Sequence, residues 1–502
     1  MKILLRDYLA SLKESKELDA IIPDLLCAMG WRVFLSAQIG IRQHGVDIGA
    51  VYDDTVYLFV VKAGNITRGA WSTNEQDLRP SLVDILDVFI PTCLPAEFND
   101  KAIKVVTCCG GEIRGEVAQN LAGFEHQHQS ERVTFERWEG SRLAASIEEH
   151  LLNANLIQND FQSDLRRSLA LICEDEYDLR HFRKLISDMS ELAVRNDSQD
   201  IRKSFATHRL IASLTSTWAI SENQARHALD IAELSLLCGW HRVVRNQLAL
   251  GNHDRPPTQA DVQIQHLVEV FLAAGRNYVS QVSEFADIED GASAGQHFYA
   301  VHCLNVFDVI GRLAVIGQVA LHWRVEDETL SANVKEVLKS LVSNNCCSAV
   351  PSMNNHIVDI SLAIDFLVRC GELEFCSAWL RRICKNLFDS YRVKRFFPIQ
   401  GDDIYDLARI EAGDKSLRDR QMKSSSLVTI VFEWCISLGV RDGCQVLREI
   451  QRLDHAPNFQ LWFPDGEFDE VAYISGGIHT GICLSTITLP EAPQTNISQA
   501  YR

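Results

Sequence analysis

In the run ELDAIIPDLLCAMGW apolar residues recur at helical spacing and stop at Gly30, a residue suited to ending a helix, and WRVFLSAQIG after it has strand character. GVDIGAVYDD and TVYLFVVKAG are rich in β-branched and aromatic residues and meet across Asp53 and Asp54, the pattern of an antiparallel hairpin. QDLRPSLVDILDVFI reads as helix, KAIKVVTCCGG as a buried strand ending in a glycine turn, and GEVAQNLAGFEHQ as helix. VTFERWEG reads as strand, and SRLAASIEEHLLNANLI as a helix leaving the domain. The order αβββαβαβα within residues 1–157 describes an α/β domain, a mixed sheet flanked by helices.

Beyond this point the periodicity changes. Across residues 158–455 nearly every segment has helical spacing, as in SDLRRSLALICEDEYDLRHFRKLISDMSELA and NNHIVDISLAIDFLVRCGELEFCSAWLRRICKNLFDSY, which predicts a large all-α helical array. Breaks are expected at GNHDRPPTQAD and at DIEDGASAG. No fixed repeat period emerges, so the array is irregular. Residues 456–502 are expected to form a small β-containing cap and tail, with LWFPDGE as a structural turn anchored by Trp462.

Length and composition refine the picture. A chain of 502 residues exceeds one ordinary core, and domains of roughly 100–200 residues predict two to four units. A net charge of -18 argues against coating nucleic acid through a generally basic surface, so any such contact is local. The 15 cysteines show no zinc-site spacing and read as reduced, mostly buried thiols. That usage suits a cytoplasmic protein. The N-terminus, MKILLRDYLASLKESKELD, carries acids and lysines where a secretory signal needs an unbroken apolar core. The apolar stretch FYAVHCLNVFDVIGRLAVIGQVALHW holds Asp308 and Arg312 four apart, with His302 and His322, and is expected to be a core helix with no membrane partner.

One constellation points to chemistry. Asp47 opens one strand of the hairpin and Lys62 closes the other, fifteen positions on, after a helix ending in M-G-W and a strand leading into GIRQHGVDI. This arrangement resembles the restriction-endonuclease-like (PD-(D/E)xK) nucleases, over about a third of the chain. The resemblance implies a restriction-endonuclease-like fold for residues 1–157, Asp47 as a metal-binding acid, the carbonyl of Val61 as a further ligand, Lys62 as the motif lysine, and Mg2+ or Mn2+ as cofactor. In such enzymes the cation holds the scissile phosphate and a water, and the lysine orients the water or offsets developing charge. The departure is Val60, which stands where the family carries Asp or Glu and which shares a strand face with Lys62. Since magnesium needs only one or two carboxylates, an acid from elsewhere would restore the site. Asp19, on the first helix about three turns before Gly30, is the first choice and Glu17 the second.

Around the pair, Arg42, His44, Arg68 and Arg79, with Trp71 among them, form a candidate basic patch for nucleic acid, DNA in particular; the alternative is that these cations pair with Asp77 and Asp84. His297, His302 and Cys303 read as core residues of an apolar helix rather than a metal site, and Gly110–Gly111 as a plain turn, since no Lys-Ser or Lys-Thr follows. No nucleophile elbow, dinucleotide fingerprint or kinase signature is present. The expected function is that of a nuclease-like effector in bacterial defence, such as phage defence, or in DNA processing, whose helical region senses a trigger, binds a protein partner or forms a homo-oligomer. The alternative is a catalytically inactive nuclease fold serving as a nucleic-acid-binding or protein-interaction scaffold, which the loss of an acid at Val60 favours.

Overall fold

The computed structural model describes residues 2–36, 44–74, 76–151, 161–174, 179–192, 198–249, 259–293, 299–323, 328–400, 403–464 and 481–491. The chain opens with α1 (Lys2–Ser11), a π-helical turn (Glu14–Leu18) and α2 (Asp19–Ala28). Gly30, at φ 86, lets the chain reverse into β1 (Arg32–Leu35). The hairpin of β2 (Ile48–Tyr52) and β3 (Thr55–Lys62) closes on the two-residue link Asp53–Asp54, both at positive φ (45 and 63), whose twist matches that of paired strands. Then come α3 (Gly69–Ser72), α4 (Leu78–Asp84), a π-helical stretch (Ile85–Cys93), β4 (Ala102–Cys109), α5 (Gly115–His128), β5 (Val133–Trp138) and α6 (Gly140–His150).

The five strands form one mixed sheet in the order β1-β2-β3-β4-β5, antiparallel from β1 to β3 and parallel from β3 to β5. Alternation along β3 supplies both of its faces. Val56, Leu58 and Val60 join the apolar cluster of Leu78, Leu82, Ile85 and Leu121, while Tyr57 and Phe59 meet Trp31 at ring-centroid distances of 4.4 and 6.4 Å. At the ends of β4 and β5 the backbone is in close contact. A Cβ at Gly110 would stand 2.1 Å from the carbonyl oxygen of Leu9, and one at Gly140 would stand 2.1 Å from that of Gly110. The expected order of elements is therefore present, with α1 added ahead of it.

The helical elements are α7 (Phe161–Leu171), α8 (Arg180–Leu192), α9 (Ser198–Ser221), α10 (Ala225–Ala249), α11 (Gln259–Ala286), α12 (Tyr299–His322), α13 (Glu328–Asn344), α14 (His356–Arg369), α15 (Leu373–Val393), α16 (Ile404–Glu411) and α17 (Lys415–Gln421). β6 (Ser424–Ser425), α18 (Leu427–Ser437), α19 (Arg441–Ile450), β7 (Asn458–Phe459), β8 (Leu461–Pro464) and β9 (Gly481–Leu484) complete the chain. β6 pairs with β7 and β8 with β9. Trp462, expected in a turn, lies instead in β8 opposite Cys483, because the apolar run before the turn residues is itself paired.

The described residues divide into two compact units, one of residues up to 243 with 259–270, the other of residues 244–249 with 271 onward. In the first unit the sheet and the helices after it share a core. Tyr8 donates to Ser213 Oγ at 2.8 Å, and Arg209 of α9 pairs with Asp24 of α2 at 2.8 Å with both side chains buried. In the second unit α12 packs against α13 and α14. Its segment Val301–His322 is long and apolar enough to cross a membrane, but half of it is buried in the unit, and Arg312 pairs with Asp308 one turn away at 3.1 Å.

Candidate functional site

The hairpin register, Ile48 opposite Phe59 and Tyr52 opposite Thr55, brings the start of β2 and the end of β3 to the same end of the sheet. Asp47 and Lys62 are thereby neighbours. The Asp47 backbone N–H donates to the Phe59 carbonyl at 2.9 Å, and its Oδ2 accepts the N–H of Val61 at 2.7 Å. Burial pushes the Asp47 carboxyl up to about 6; the Val61 N–H and the Lys62 ammonium pull it down, and the carboxylates of Glu14 and Asp19 push it up. Two further acids and one lysine thus act on Asp47.

Lys62 is 13% exposed and its Nζ lies 3.1 Å from Glu14 Oε1. Glu14 is the residue that sequence reasoning missed. It comes from the π-helical turn between α1 and α2, and no short-range pattern in ESKELD marks it over its neighbours. Asp19, the first residue of α2, is half-buried and close enough for its charge to act on Asp47. Glu17, the second choice, has a local role instead: its Oε2 accepts the N–H of Lys13 at 2.7 Å and closes the turn. Val60 is fully buried in the apolar cluster beneath α4 and brings no polar atom to the site. Val61 is likewise buried, within β3 between β2 and β4.

A cleft of about 600 Å³ opens beside Lys62, lined among others by Glu14, Asn65, Asn74 and Asp77. Asp77 accepts the N–H groups of Asn74 (2.7 Å) and Thr73 (2.5 Å), which hold its carboxyl below the usual carboxylate range. The expected basic patch is assembled only in part. Arg42 lies outside the described residues. Arg68 and Arg79 are exposed, at the start of α3 and on α4, and neither makes an ion pair with a described residue. His44 sits at φ 47 with its Nδ1 buried and without a hydrogen bond among the described residues. The Trp71 and Phe124 rings meet edge to face at a centroid distance of 6.3 Å.

The remaining features are resolved by their contacts. The N–H of Gly111 donates to Gly64 at 2.8 Å, so the glycine pair after β4 is bound internally as a turn. Cys303 is fully buried on α12, while His297 lies outside the described residues. Among the described residues, no group of three or more His, Cys, Asp or Glu side chains stands ready to hold a metal ion. The acidic groups around Asp47 are all carboxylates. Asp47, Asp19 and Glu14 crowd negative charge against a single lysine, and carboxylate oxygens are the ligands magnesium and manganese prefer. No family profile, curated protein or solved structure matches this chain.

Proposed function

We propose that the N-terminal unit is a restriction-endonuclease-like, cation-dependent phosphodiesterase acting on nucleic acid, DNA foremost, with Asp47, Lys62, Asp19 and Glu14 as its working groups. The observation that carries this reading is the largely buried Lys62 ammonium, placed beside the raised Asp47 carboxyl at a cleft of about 600 Å³. An ammonium enclosed next to a buried acid is suited to bind a phosphate oxygen and to offset the charge that builds on phosphorus as water attacks. Asp47 and Asp19, with the Val61 carbonyl, would hold a divalent cation; when bound, it would supply further positive charge and a more acidic water. Glu14 takes the part of the acid absent at position 60. It now neutralises Lys62, so substrate must displace it from the ammonium.

The test is cleavage of single- and double-stranded DNA and RNA with Mg2+ and with Mn2+, alongside cation-induced thermal shifts of the full chain. Asp47→Ala and Lys62→Ala are each expected to lower cleavage by about two orders of magnitude or more. Asp19→Asn and Glu14→Gln are expected to weaken the cation-induced shift. Val60→Glu, which adds a carboxylate on the face of Lys62, is expected to increase cation binding while costing roughly 2–3 kcal/mol without cation, because its site is apolar. The second reading, a nuclease fold that binds nucleic acid without cutting it, is favoured by Val60 itself. It prevails if no condition yields cleavage, Val60→Glu yields none, and Asp47→Ala still binds nucleic acid.

A further inference from the structure

The wall of the cleft beside Lys62 carries a donor that is fixed in place and has nothing to bind. The segment after β3 runs alongside the segment after β4, strapped to it by backbone hydrogen bonds: Gly111 N–H to the Gly64 carbonyl at 2.8 Å, Ile66 N–H to that of Glu112 at 3.0 Å, and Arg114 N–H to that of Ile66 at 3.0 Å. Between these straps the Glu112 N–H donates to Asn65 Oδ1 at 2.9 Å. A Cβ at position 111 would stand 2.5 Å from that oxygen, so glycine there makes room for the side chain. With its oxygen committed, the planar Asn65 amide has only its NH2 group left to offer. Asn65 is exposed, lines the cleft, and makes no hydrogen bond through that nitrogen with a described residue. Gln76, on the same wall, is also exposed and makes no side-chain hydrogen bond with a described residue.

Size and charge restrict what can occupy the cleft. Its volume of about 600 Å³ corresponds to a box about 8 Å on a side, within the range that encloses a single ligand. Lys62 is 13% exposed, so a phosphate must enter the cleft to reach its ammonium. A duplex is too broad to follow it in, since its major groove alone is roughly 12 Å wide. One unpaired nucleotide is not: Ala63 and Ala70 give its base an apolar seat, and the amides of Asn65 and Gln76 face its polar edge. Among the described lining residues Lys62 is the one cation, set against the carboxylates of Glu14 and Asp77. That balance also disfavours a duplex, which carries one charge per about 1.7 Å of axis against about 3.4 Å for a single strand. Arg68 and Arg79, exposed and without an ion pair to a described residue, stand two positions before Ala70 and two after Asp77, suited to the phosphates on either side.

We propose that this cleft is a pocket for one unpaired nucleotide of a single-stranded nucleic acid, in which Lys62 meets the phosphate and the Asn65 amide donates to an acceptor on the base. The inference rests on the nucleic-acid reading of the Asp47–Lys62 site and adds the strand type to it. Because Asn65 offers only a donor, it recognises a carbonyl oxygen or an unprotonated ring nitrogen, one or other of which every base presents, so the pocket selects for an unpaired base rather than for a sequence. A duplex would be left at the rim, where only its backbone is in reach.

The experiment measures binding, by fluorescence anisotropy, of a labelled DNA single strand and of the duplex of the same sequence to the full chain with Ca2+, at one fixed salt concentration. The single strand should bind roughly tenfold tighter or more, the scale of one base stacked and hydrogen-bonded in a pocket. Asn65→Asp keeps an oxygen for the Glu112 N–H and replaces the donor by a second oxygen and a charge. It should weaken single-strand binding by about tenfold and leave duplex binding nearly unchanged. Asn65→Leu, which removes the donor without adding charge, should weaken the single strand several-fold, again without effect on the duplex. The proposal is overturned if the duplex binds as tightly as the single strand, or if the two variants weaken both substrates alike or neither. The wild-type comparison decides the first of these without any variant. Failure of the cleavage reading is distinguishable: if nothing is cut with Mg2+ or Mn2+ while single strands bind with this dependence on Asn65, the phosphodiesterase falls and the pocket stands. If duplex is cut and bound as well as single strand, the phosphodiesterase stands and the pocket falls.

Discussion

Asp47 carries an energetic signature that can be measured apart from any activity. Its carboxyl is raised from 3.8 to about 6, chiefly by burial. Between those two values the folded protein holds a proton that the unfolded chain has released, so the Asp47 contribution to stability falls as pH rises through that window. Below the lower value both states are protonated and no penalty exists; above the upper one it is complete. Asp47→Asn keeps an oxygen for the Val61 N–H and removes the charge. It should stabilise the protein by up to about 3 kcal/mol at pH 8 and by nothing near pH 3.5, as read by urea denaturation at the two pH values. Equal effects at both would show that the carboxyl is not buried as described. Asp47 and Lys62 were legible in the sequence because both are fixed by one hairpin, whose register follows from its alternation and its two-residue turn. Glu14 was not, since it reaches Lys62 from 48 residues away through a π-helical turn that leaves no periodic trace.

Among the elements, α2 shows how strongly the helices after the sheet are bound to it. The Asp24–Arg209 pair joins α2 to α9 with side-chain exposures of 6% and 7%. Removing one partner leaves the other charged in a low-dielectric setting, so Arg209→Met should cost roughly 3–5 kcal/mol, and Asp24→Leu combined with Arg209→Met should recover most of it. A double-mutant cycle in urea measures both, and additive losses would contradict the pairing. Strands and helices were read correctly where one period dominates, as along β3 and across α14 and α15, which Gly371 at φ 84 separates. The helix expected over QDLRPSLVDILDVFI is instead α4 continued by a π-helical stretch that contains Pro91, a change of hydrogen-bond spacing that apolar periodicity does not encode. The pairing of α2 with α9 joins residues 185 apart, beyond the reach of any local pattern.

At the scale of the whole chain, the texture of the sequence changes from mixed to helical near residue 157, whereas the compact units divide near residue 243. A change in the kind of secondary structure is visible in periodicity; a change of core is not, because α9 buries its residues against the sheet unit. Two cores imply two unfolding steps. Calorimetry of the full chain should resolve two transitions, with Arg209→Met lowering one by several degrees and leaving the other in place; one transition that shifts as a whole would contradict independent units. The first of these cores also contains the backbone contacts at Gly110 and Gly140, where any side chain would strike a carbonyl oxygen at 2.1 Å. Descent is constrained there. A remote cousin of this chain could exchange every acid around Lys62 and lose whatever chemistry they perform, yet to keep the same sheet it would still have to inherit glycine at both positions, thirty residues apart.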